Sequence, residues 1–243
     1  RTEATGYGAI FFLRNMLEHM GSGMEGKKVL VSGSGNVATH AAEKVTQLGG
    51  KALTLSDSGG IIHCADGFTQ EQIDWIKDLK GLRRGRISEA ADEFGNITFH
   101  EGIRPWGIEA DFATPCATQN EINGDDAATM LKNGIKAVAE GANMPSEQAA
   151  VDAFQDAKIL FGPAKAVNAG GVGVSGLEMS QNSARISWGT DQLRDLLENM
   201  MKDIHDSCAQ FGTEKGGHVN YLAGSNIAGF VKVADAMLAY GHV

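Results

Sequence analysis

The sequence predicts an α/β protein, with a Rossmann-like, doubly wound and mainly parallel sheet followed by helices at the C-terminal end. Two observations support this prediction. Short apolar segments alternate with amphipathic helical segments between residues 27 and 162, which is the pattern of a parallel sheet covered by helices. A glycine-rich turn directly follows the first apolar segment, as it does in a βαβ unit.

The elements begin with a helix and the first βαβ unit. Residues 4–20 have apolar side chains at helical spacing, and a Gly-Ser-Gly sequence ends this helix. A first strand is predicted over 29–32 and a second over 52–56, with an amphipathic helix between them. Residues 58–70 are expected to form a connection.

The later segments continue the alternation. Helices are expected at 70–79, 87–94, 125–131 and 146–154, with a basic turn at 80–86. Strands are expected at 108–112, 135–139 and 158–161. A stretch rich in Gly and Ala then occupies 163–176, and three further helices are expected at about 177–187, 190–211 and 220–240.

The last of these helices has an unusually apolar face. Its members are Tyr221, Ile227, Phe230, Val231, Val233, Met237 and Leu238. Such a helix either covers the sheet or packs against a domain of the parent protein that these residues do not include. The sequence leaves both interpretations open.

The glycine-rich turn at residues 33–38 predicts a phosphate-bearing cofactor. Gly33 allows the tight bend, Gly35 lets a pyrophosphate approach the N–H groups at a helix N-terminus, and the small Ala38 lets helix and strand pack closely. Asp57 follows Gly33 by 24 positions, at the end of the second strand. A strand before, a helix after and an acid at this spacing indicate a dinucleotide-binding unit rather than an ordinary loop.

Composition narrows the classes of function. The net charge of −9 provides no basic surface for nucleic acid, which is therefore not an expected partner. The three cysteines, Cys64, Cys116 and Cys208, are widely spaced and indicate a reducing, cytoplasmic location rather than disulfides or zinc. We expect no metal site and no membrane span, because the chain has no metal-binding motif and no sufficiently long apolar run. Because it opens at Arg1 without Met, we expect a segment of a longer polypeptide.

Three segments rich in small and amide-bearing residues follow successive predicted strands. They occupy 114–120, 140–145 and 162–171. In an open α/β sheet the carboxyl ends of the strands form the ligand crevice. Together the segments predict a binding site at that edge. Ser175 is not expected to be a hydrolase nucleophile, because its surroundings lack the second glycine of a GxSxG elbow.

The whole chain resembles the C-terminal, coenzyme-binding half of hexameric glutamate dehydrogenases of the bacterial and fungal NADP type. The motifs that carry the resemblance are RTEATGYG at 1–8, GSGNVA at 33–38, SDS at 56–58, PCATQNE at 115–121, GANMP at 141–145, NAGGV at 168–172, SGLEMSQN at 175–182 and NIAGFVKVADAM at 226–237. The resemblance implies that 1–243 is a dinucleotide-binding domain with a helical C-terminal portion at 177–243. It also implies that the family's N-terminal half, with its catalytic lysine and aspartate, is absent from these residues, and that the full-length parent is a homohexamer.

The resemblance also implies roles for individual residues. The positions expected to hold the pyrophosphate and the nearby ribose are Ser34, Gly35, Asn36 and Val37, with Gly33 forming the bend. Those expected near the nicotinamide and along the groove are Thr5, Ala117, Thr118, Asn143 and Asn168. Those expected to line the pocket for the substrate side chain are Arg1, Val172 and Ser175. No catalytic residue falls within this chain.

The charges near the end of the second strand bear on the coenzyme preference. Asp57 alone favours NAD, because a carboxylate accepts bonds from ribose hydroxyls and repels a 2′-phosphate. Ser34, Ser56 and Lys80 favour NADP, and in the resembling family these positions belong to the NADP-linked members. The other cations of the cluster are Arg83, Arg84 and Arg86. The alternative is that 80–86 is a solvated basic turn.

The leading hypothesis is therefore an NADP-dependent glutamate dehydrogenase. When joined to the other half, it would convert L-glutamate, NADP and water to 2-oxoglutarate, ammonia and NADPH. The hydroxyl of Ser175 and the guanidinium of Arg1 suit a γ-carboxylate. The alternatives are an NAD-linked enzyme, a dehydrogenase for an apolar amino acid, and a non-catalytic nucleotide-binding module.

Overall fold

The computed structural model describes residues 1–241. In these residues the strands are β1 (Lys28–Val31), β2 (Lys51–Ala52), β3 (Thr54–Asp57), β4 (Gly60–His63), β5 (Thr98–Glu101), β6 (Phe112–Thr114), β7 (Ala137–Ala139) and β8 (Leu160–Gly162). The helices are α1 (Ala4–His19), α2 (Asn36–Gln47), α3 (Gln70–Asp78), α4 (Glu89–Glu93), α5 (Gly124–Lys132), α6 (Gln148–Asp156), α7 (Ala164–Val167), α8 (Ala169–Ala184), α9 (Thr190–Gly212) and α10 (Tyr221–Tyr240).

A parallel sheet with the strand order β2-β1-β6-β7-β8 forms the centre of the fold. From β1 the chain moves outward to β2 at one edge, and it then returns to pair β6 with the other side of β1. The order therefore reverses between β1 and β6. Ligands of doubly wound sheets bind at this reversal, outside the carboxyl ends of the strands. The predicted fold class is confirmed.

Hydrophobic cores lie on both faces of this sheet. Val29 and Val31 of β1 belong to a core formed with α1 and α2, whereas Leu30 between them belongs to a second core on the opposite face. The second core includes Ala127 of α5 and Phe154 of α6. Because side chains alternate along a strand, burial of three consecutive residues shows that β1 is covered on both sides.

The second predicted strand, 52–56, is divided between two sheets. β2 pairs with β1, whereas β3 joins β4 and β5 in an antiparallel sheet of order β3-β4-β5. The division occurs at Thr54, whose hydroxyl accepts from Val31 N at 3.0 Å and donates to Val31 O at 2.9 Å. This side chain occupies the backbone groups through which the parallel pairing would continue. The prediction of 58–70 as a connection was wrong at β4, and β5 was not predicted.

Other boundaries also differ from the prediction. The strand expected at 108–112 is β6, which follows a 3₁₀ turn at Pro105–Gly107, and the one expected at 158–161 is β8. The basic turn at 80–86 begins as a π-helical turn at Leu79–Arg83. The helix expected from 177 begins at Ala169, within the stretch rich in Gly and Ala. An added Cβ at Gly170 would lie 2.5 Å from Ala4 O, so the glycine lets α8 approach α1 closely.

The last helix, α10, projects most of its apolar face away from the rest of the chain. Tyr221 and Gly224 are buried, and the helix packs against α9. Phe230 and Leu238 are 71% and 84% exposed. The helix therefore contacts the edge strand β8 but leaves most of its apolar face uncovered. By length and composition alone it is apolar enough to cross a membrane. Its most apolar stretch of 18 residues has a mean hydropathy of 1.2, and 6% of that stretch is buried. The expectation that no apolar run reaches this length was wrong by those two criteria.

Candidate functional site

The turn after β1 forms a cradle at the start of α2. Gly33 has φ +84°, and an added Cβ there would lie 2.8 Å from Cys116 O, so the position requires glycine. Gly35 is the N-cap of α2, and an added Cβ would meet no atom within 4 Å. The residue makes no side-chain cap for the helix. An open space in front of uncapped helical N–H groups fits a phosphate.

The cradle opens into a groove with two compartments. The turn compartment, a cavity of about 620 Å³, is lined by Gly33, Ser34, Gly35, Asn36, Val37, Ser56, Asp57, Ser58, Arg104, Cys116, Ala117, Thr118 and Glu121. The asparagine compartment, a cavity of about 540 Å³, is lined by Arg1, Thr5, Val37, Cys116, Ala117, Thr118, Gln119, Gly141, Ala142, Asn143, Asn168, Gly171 and Val172. Val37 and the segment 116–118 line both, so this segment is the shared wall of one continuous groove.

Asn143 and Asn168 meet in the asparagine compartment although they follow different strands. Asn168 Nδ2 donates to Asn143 Oδ1 at 2.7 Å and to Ala142 O at 3.4 Å. Thr5 of α1 lines the same cavity. The predicted residues of the three segments are therefore brought to one surface by the carboxyl ends of neighbouring parallel strands.

Arg1 lines the asparagine compartment, whereas Ser175 is not among its lining residues and is joined to it through Arg1. Arg1 Nε donates to Ser175 Oγ at 2.8 Å, and Ser175 Oγ donates to Gly171 O at 3.2 Å. Val172 is 73% exposed beside them. Val172 and Ser175 lie on the first turns of α8, and Arg1, which precedes α1, reaches Ser175 from outside that helix.

Asp57 is held by backbone N–H groups and by cations. Its Oδ1 accepts from Gly59 N at 2.8 Å, and its Oδ2 accepts from Ile87 N at 3.3 Å. Lys80 Nζ and Arg86 Nη1 lie 3.6 Å and 3.8 Å from Oδ2. The negative charge of this acid is thus balanced by two positive charges next to the turn compartment.

Lys80 and Arg86 each make a further hydrogen bond, whereas Arg83 points away from Asp57. Lys80 Nζ donates to Gly85 O at 3.0 Å, and Arg86 Nη1 donates to Ser58 Oγ at 2.8 Å. Arg83 lies 4.4 Å from the ring centre of Trp75 and bonds Trp75 O instead. Of the predicted cluster, the structure therefore brings Lys80 and Arg86 to Asp57 but not Arg83.

Ser56 also contributes to the cradle. Its Oγ accepts from Gly33 N at 2.6 Å, so the end of β3 fixes the bend after β1. Ser34 is buried at the same turn. These two serines, predicted from the sequence as part of the coenzyme site, both line the turn compartment.

Sequence reasoning missed Glu121, which supports the shared wall. Glu121 Oε1 accepts from Ala117 N at 3.0 Å and from Thr118 N at 3.4 Å. Burial raises the pKa of this carboxyl. Arg104, also missed, donates to Glu121 O at 3.0 Å. Glu121 is the last residue of the PCATQNE motif that carries part of the resemblance, but nothing in the motif showed that its carboxylate holds the backbone of the shared wall.

Comparison with known proteins decides the family. The profile of the Glutamate/Leucine/Phenylalanine/Valine dehydrogenase family matches residues 1–241. The chain belongs to this family. The resemblance found in the sequence is confirmed, and it extends over the whole described structure.

Several curated relatives share about half of the residues of this chain. The glutamate dehydrogenase of Bacteroides thetaiotaomicron is 56% identical over 243 residues, 100% of this chain and 54% of the relative. The NAD(P)-specific glutamate dehydrogenase of Xylanibacter ruminicola is 55% identical, with 99% of this chain and 54% of the relative covered. The NADP-specific glutamate dehydrogenase of Escherichia coli is 51% identical, with 100% and 54% covered. The chain spans about half the length of the curated relatives it matches.

Solved structures of the family superpose on the same region. A glutamate dehydrogenase of Plasmodium falciparum matches with a TM-score of 0.97 and 40% identity, covering 100% of this chain and 52% of that chain. A second one from the same organism matches with a TM-score of 0.96 and 45% identity, covering 100% and 53%. The family chains therefore continue well beyond the fold described for these residues.

Proposed function

We propose that this chain is the coenzyme-binding part of an NADP-dependent glutamate dehydrogenase. The observation that carries the proposal is the surrounding of Asp57, which lines the turn compartment and has two cations, Lys80 and Arg86, within 3.6 Å and 3.8 Å of its Oδ2. A free carboxylate here would repel a 2′-phosphate. With Lys80 and Arg86 beside it, the site supplies positive charge and donors for that group. The specificities named for three relatives, two NADP-specific and one NAD(P)-specific, support this choice.

The remaining parts of the coenzyme fit the rest of the groove. The N–H groups at the start of α2 would hold the pyrophosphate, with Gly35 leaving the space for its approach. Asn143, Asn168 and Thr5 would bind the nicotinamide carboxamide and ribose in the asparagine compartment. When bound, the nicotinamide supplies the acceptor for a hydride from the substrate α-carbon. The protein's own contribution on this side is orientation.

The substrate is proposed to be glutamate on the basis of the residues beside the asparagine compartment. Arg1 and Ser175 offer a guanidinium and a hydroxyl to a γ-carboxylate, and Val172 would contact the methylenes of the substrate. A pocket for an apolar amino acid would have no use for these donors. The products are 2-oxoglutarate, ammonia and NADPH.

Catalysis is proposed to need a second domain. Among the described residues that line the asparagine compartment, the titratable ones are Arg1 and Cys116, and burial raises the pKa of Cys116 well above its usual value. Neither serves as a general base near neutral pH. We propose that the N-terminal half of the full-length protein supplies the acid and base and covers the exposed apolar residues of α10. A homohexamer and a cytoplasmic location belong to the same proposal, and the three free, buried cysteines support the location.

Calorimetry with NADPH and NADH tests the coenzyme proposal on this chain. NADPH should bind more tightly, and Lys80→Ala should weaken NADPH by about 1.5–3 kcal/mol, the scale of a hydrogen bond to a charged group. Binding of NADH should change little, because it has no 2′-phosphate. The control is Arg83→Ala, which removes a cation that stacks on Trp75 instead. Equal affinity of the unmodified chain for both coenzymes, or tighter binding of NADH, would refute the assignment to NADP.

A further inference from the structure

Two loops carry the asparagine pair at their tips. The first runs from the end of β7 to Asn143, and the second runs from the end of β8 through α7 to Asn168. At the tips the two side chains are joined by the 2.7 Å hydrogen bond between Asn168 Nδ2 and Asn143 Oδ1. The geometry of the pair therefore depends on how the two loops are held relative to each other.

Glu140 joins the same loops at their bases. It is the first residue after β7, it is 5% exposed, and its Oε2 accepts from Ala164 N at 2.8 Å. Its own backbone N–H donates to Gly162 O at 3.1 Å, which extends the pairing of β7 with β8. The carboxylate thus reaches across to the residue that begins α7.

Ala164 connects this carboxylate to the asparagine by a single residue. Its N–H donates to Glu140, and its carbonyl oxygen accepts from Asn168 N at 2.9 Å. α7 is one helical turn, so the position of its first residue fixes that of the residue after its end. The path from the buried acid to Asn168 therefore consists of two hydrogen bonds, both made by the backbone of one residue, Ala164.

We propose that Glu140 is a positioning residue for the nicotinamide half of the coenzyme. It holds α7 at its N-terminus so that Asn168 meets Asn143 in the asparagine compartment, and it acts through Ala164 without touching the coenzyme. The inference rests on the proposed function, because it assigns that compartment to the nicotinamide.

The role requires an acceptor at the right reach rather than a negative charge. Ala164 N–H needs one oxygen, and the side-chain amide oxygen of glutamine provides it at the same distance from the backbone. The carboxylate of aspartate is one methylene shorter and does not span the gap. Burial raises the pKa of Glu140, so its environment disfavours the charged form.

Glu140→Asp and Glu140→Gln separate reach from charge. The probes are NADPH and adenosine 2′,5′-bisphosphate, which lacks the nicotinamide and under the proposed function would occupy only the turn compartment. We expect Glu140→Asp to weaken NADPH about tenfold, the scale of one lost buried hydrogen bond, and to leave the bisphosphate within about twofold. Glu140→Gln should bind NADPH and the bisphosphate with affinities within about twofold of those of the unmodified chain. The matched controls are Glu147→Asp and Glu147→Gln, at an exposed acid seven positions later, which should bind both ligands normally.

The outcomes distinguish this inference from the proposed function. If the unmodified chain does not bind NADPH, the proposed function fails. If it binds NADPH but Glu140→Asp weakens both ligands equally, or neither, the positioning role is wrong. If Glu140→Gln binds NADPH more weakly and Glu140→Asp does not, the positioning role is also wrong, because the charge of the side chain would then matter and its length would not. Thermal unfolding of each variant accompanies the titrations, and Glu140→Gln alone tests the role of the charge if Glu140→Asp does not fold.

Discussion

The same methyl group added at Gly33 and at Gly35 should have opposite consequences. At Gly33 the backbone has φ +84°, where an alanine costs about 1–2 kcal/mol. Its Cβ would also lie 2.8 Å from the carbonyl oxygen of Cys116, a backbone atom that cannot turn aside. Overpacking of this kind costs about 1–3 kcal/mol. We expect Gly33→Ala to lower the free energy of unfolding by about 2–5 kcal/mol.

At Gly35 the methyl group enters open space. No atom lies within 4 Å of the added Cβ, and φ is −82°, which any residue adopts. Replacing an N-cap glycine by alanine costs at most about 1 kcal/mol. The methyl group occupies the space through which the pyrophosphate approaches the helix N-terminus, so we expect both NADPH and NADH to bind about 10- to 100-fold more weakly, the effect of losing one charge-assisted hydrogen bond.

Urea denaturation and calorimetry on the two variants check this pair. The expected pattern is a large loss of stability in Gly33→Ala and a loss of binding with nearly unchanged stability in Gly35→Ala. If Gly35→Ala instead lost stability as Gly33→Ala does and bound coenzyme normally, the glycine would serve only the turn. The assignment of the cradle to a pyrophosphate would then be refuted.

Three further predictions follow from buried groups and from the missing acid and base. Burial lowers the pKa of His205 below its usual 6.5, so the unfolded chain binds a proton that the folded chain resists. The free energy of unfolding should therefore fall as the pH drops below about 6.5. If the free energy of unfolding of His205→Asn changed with pH just as it does in the unmodified chain, His205 would not be the origin. Tyr7→Phe removes the 2.7 Å hydrogen bond to Glu43 and should cost about 1.5–3 kcal/mol in urea denaturation at pH 7; a loss below about 0.5 kcal/mol would show that the bond contributes little. This chain alone should not oxidise glutamate with NADP, as followed by NADPH absorbance, and restored turnover on adding a separately expressed N-terminal half would support the proposed division of roles.

Local features were predictable because all of their determinants lie close together in the chain. The turn at 33–38 has its strand, glycines and helix within residues 28–47, and the structure has all three in that order. The three segments at the strand ends were also predictable as a group. In a parallel sheet, consecutive strands place their carboxyl ends at one edge, which is why Asn143 and Asn168 meet there.

Features that depend on pairing between distant segments were not predictable. The paired residues of β4 and β5 are 35 or more positions apart in the chain, as in His63 with Thr98. Neither segment has a sequence feature that indicates which strand it pairs with. The helical part of α8 at 169–176 was not predicted either, because its formation depends on packing against α1, which is distant in the chain. Its glycines have a low helix propensity, but they are needed where α8 lies against α1.

The sequence by itself determined the family, the parallel α/β fold and the position of the cradle, because each is encoded in motifs of adjacent residues. Only the tertiary structure decided which charges and acceptors face one another. It placed Lys80 and Arg86 on Asp57, turned Arg83 onto Trp75, and put Glu140 against the first residue of α7. Such contacts join side chains from different loops at distances of a few ångströms, and they are fixed by the packing of the whole sheet rather than by the order of residues along the chain.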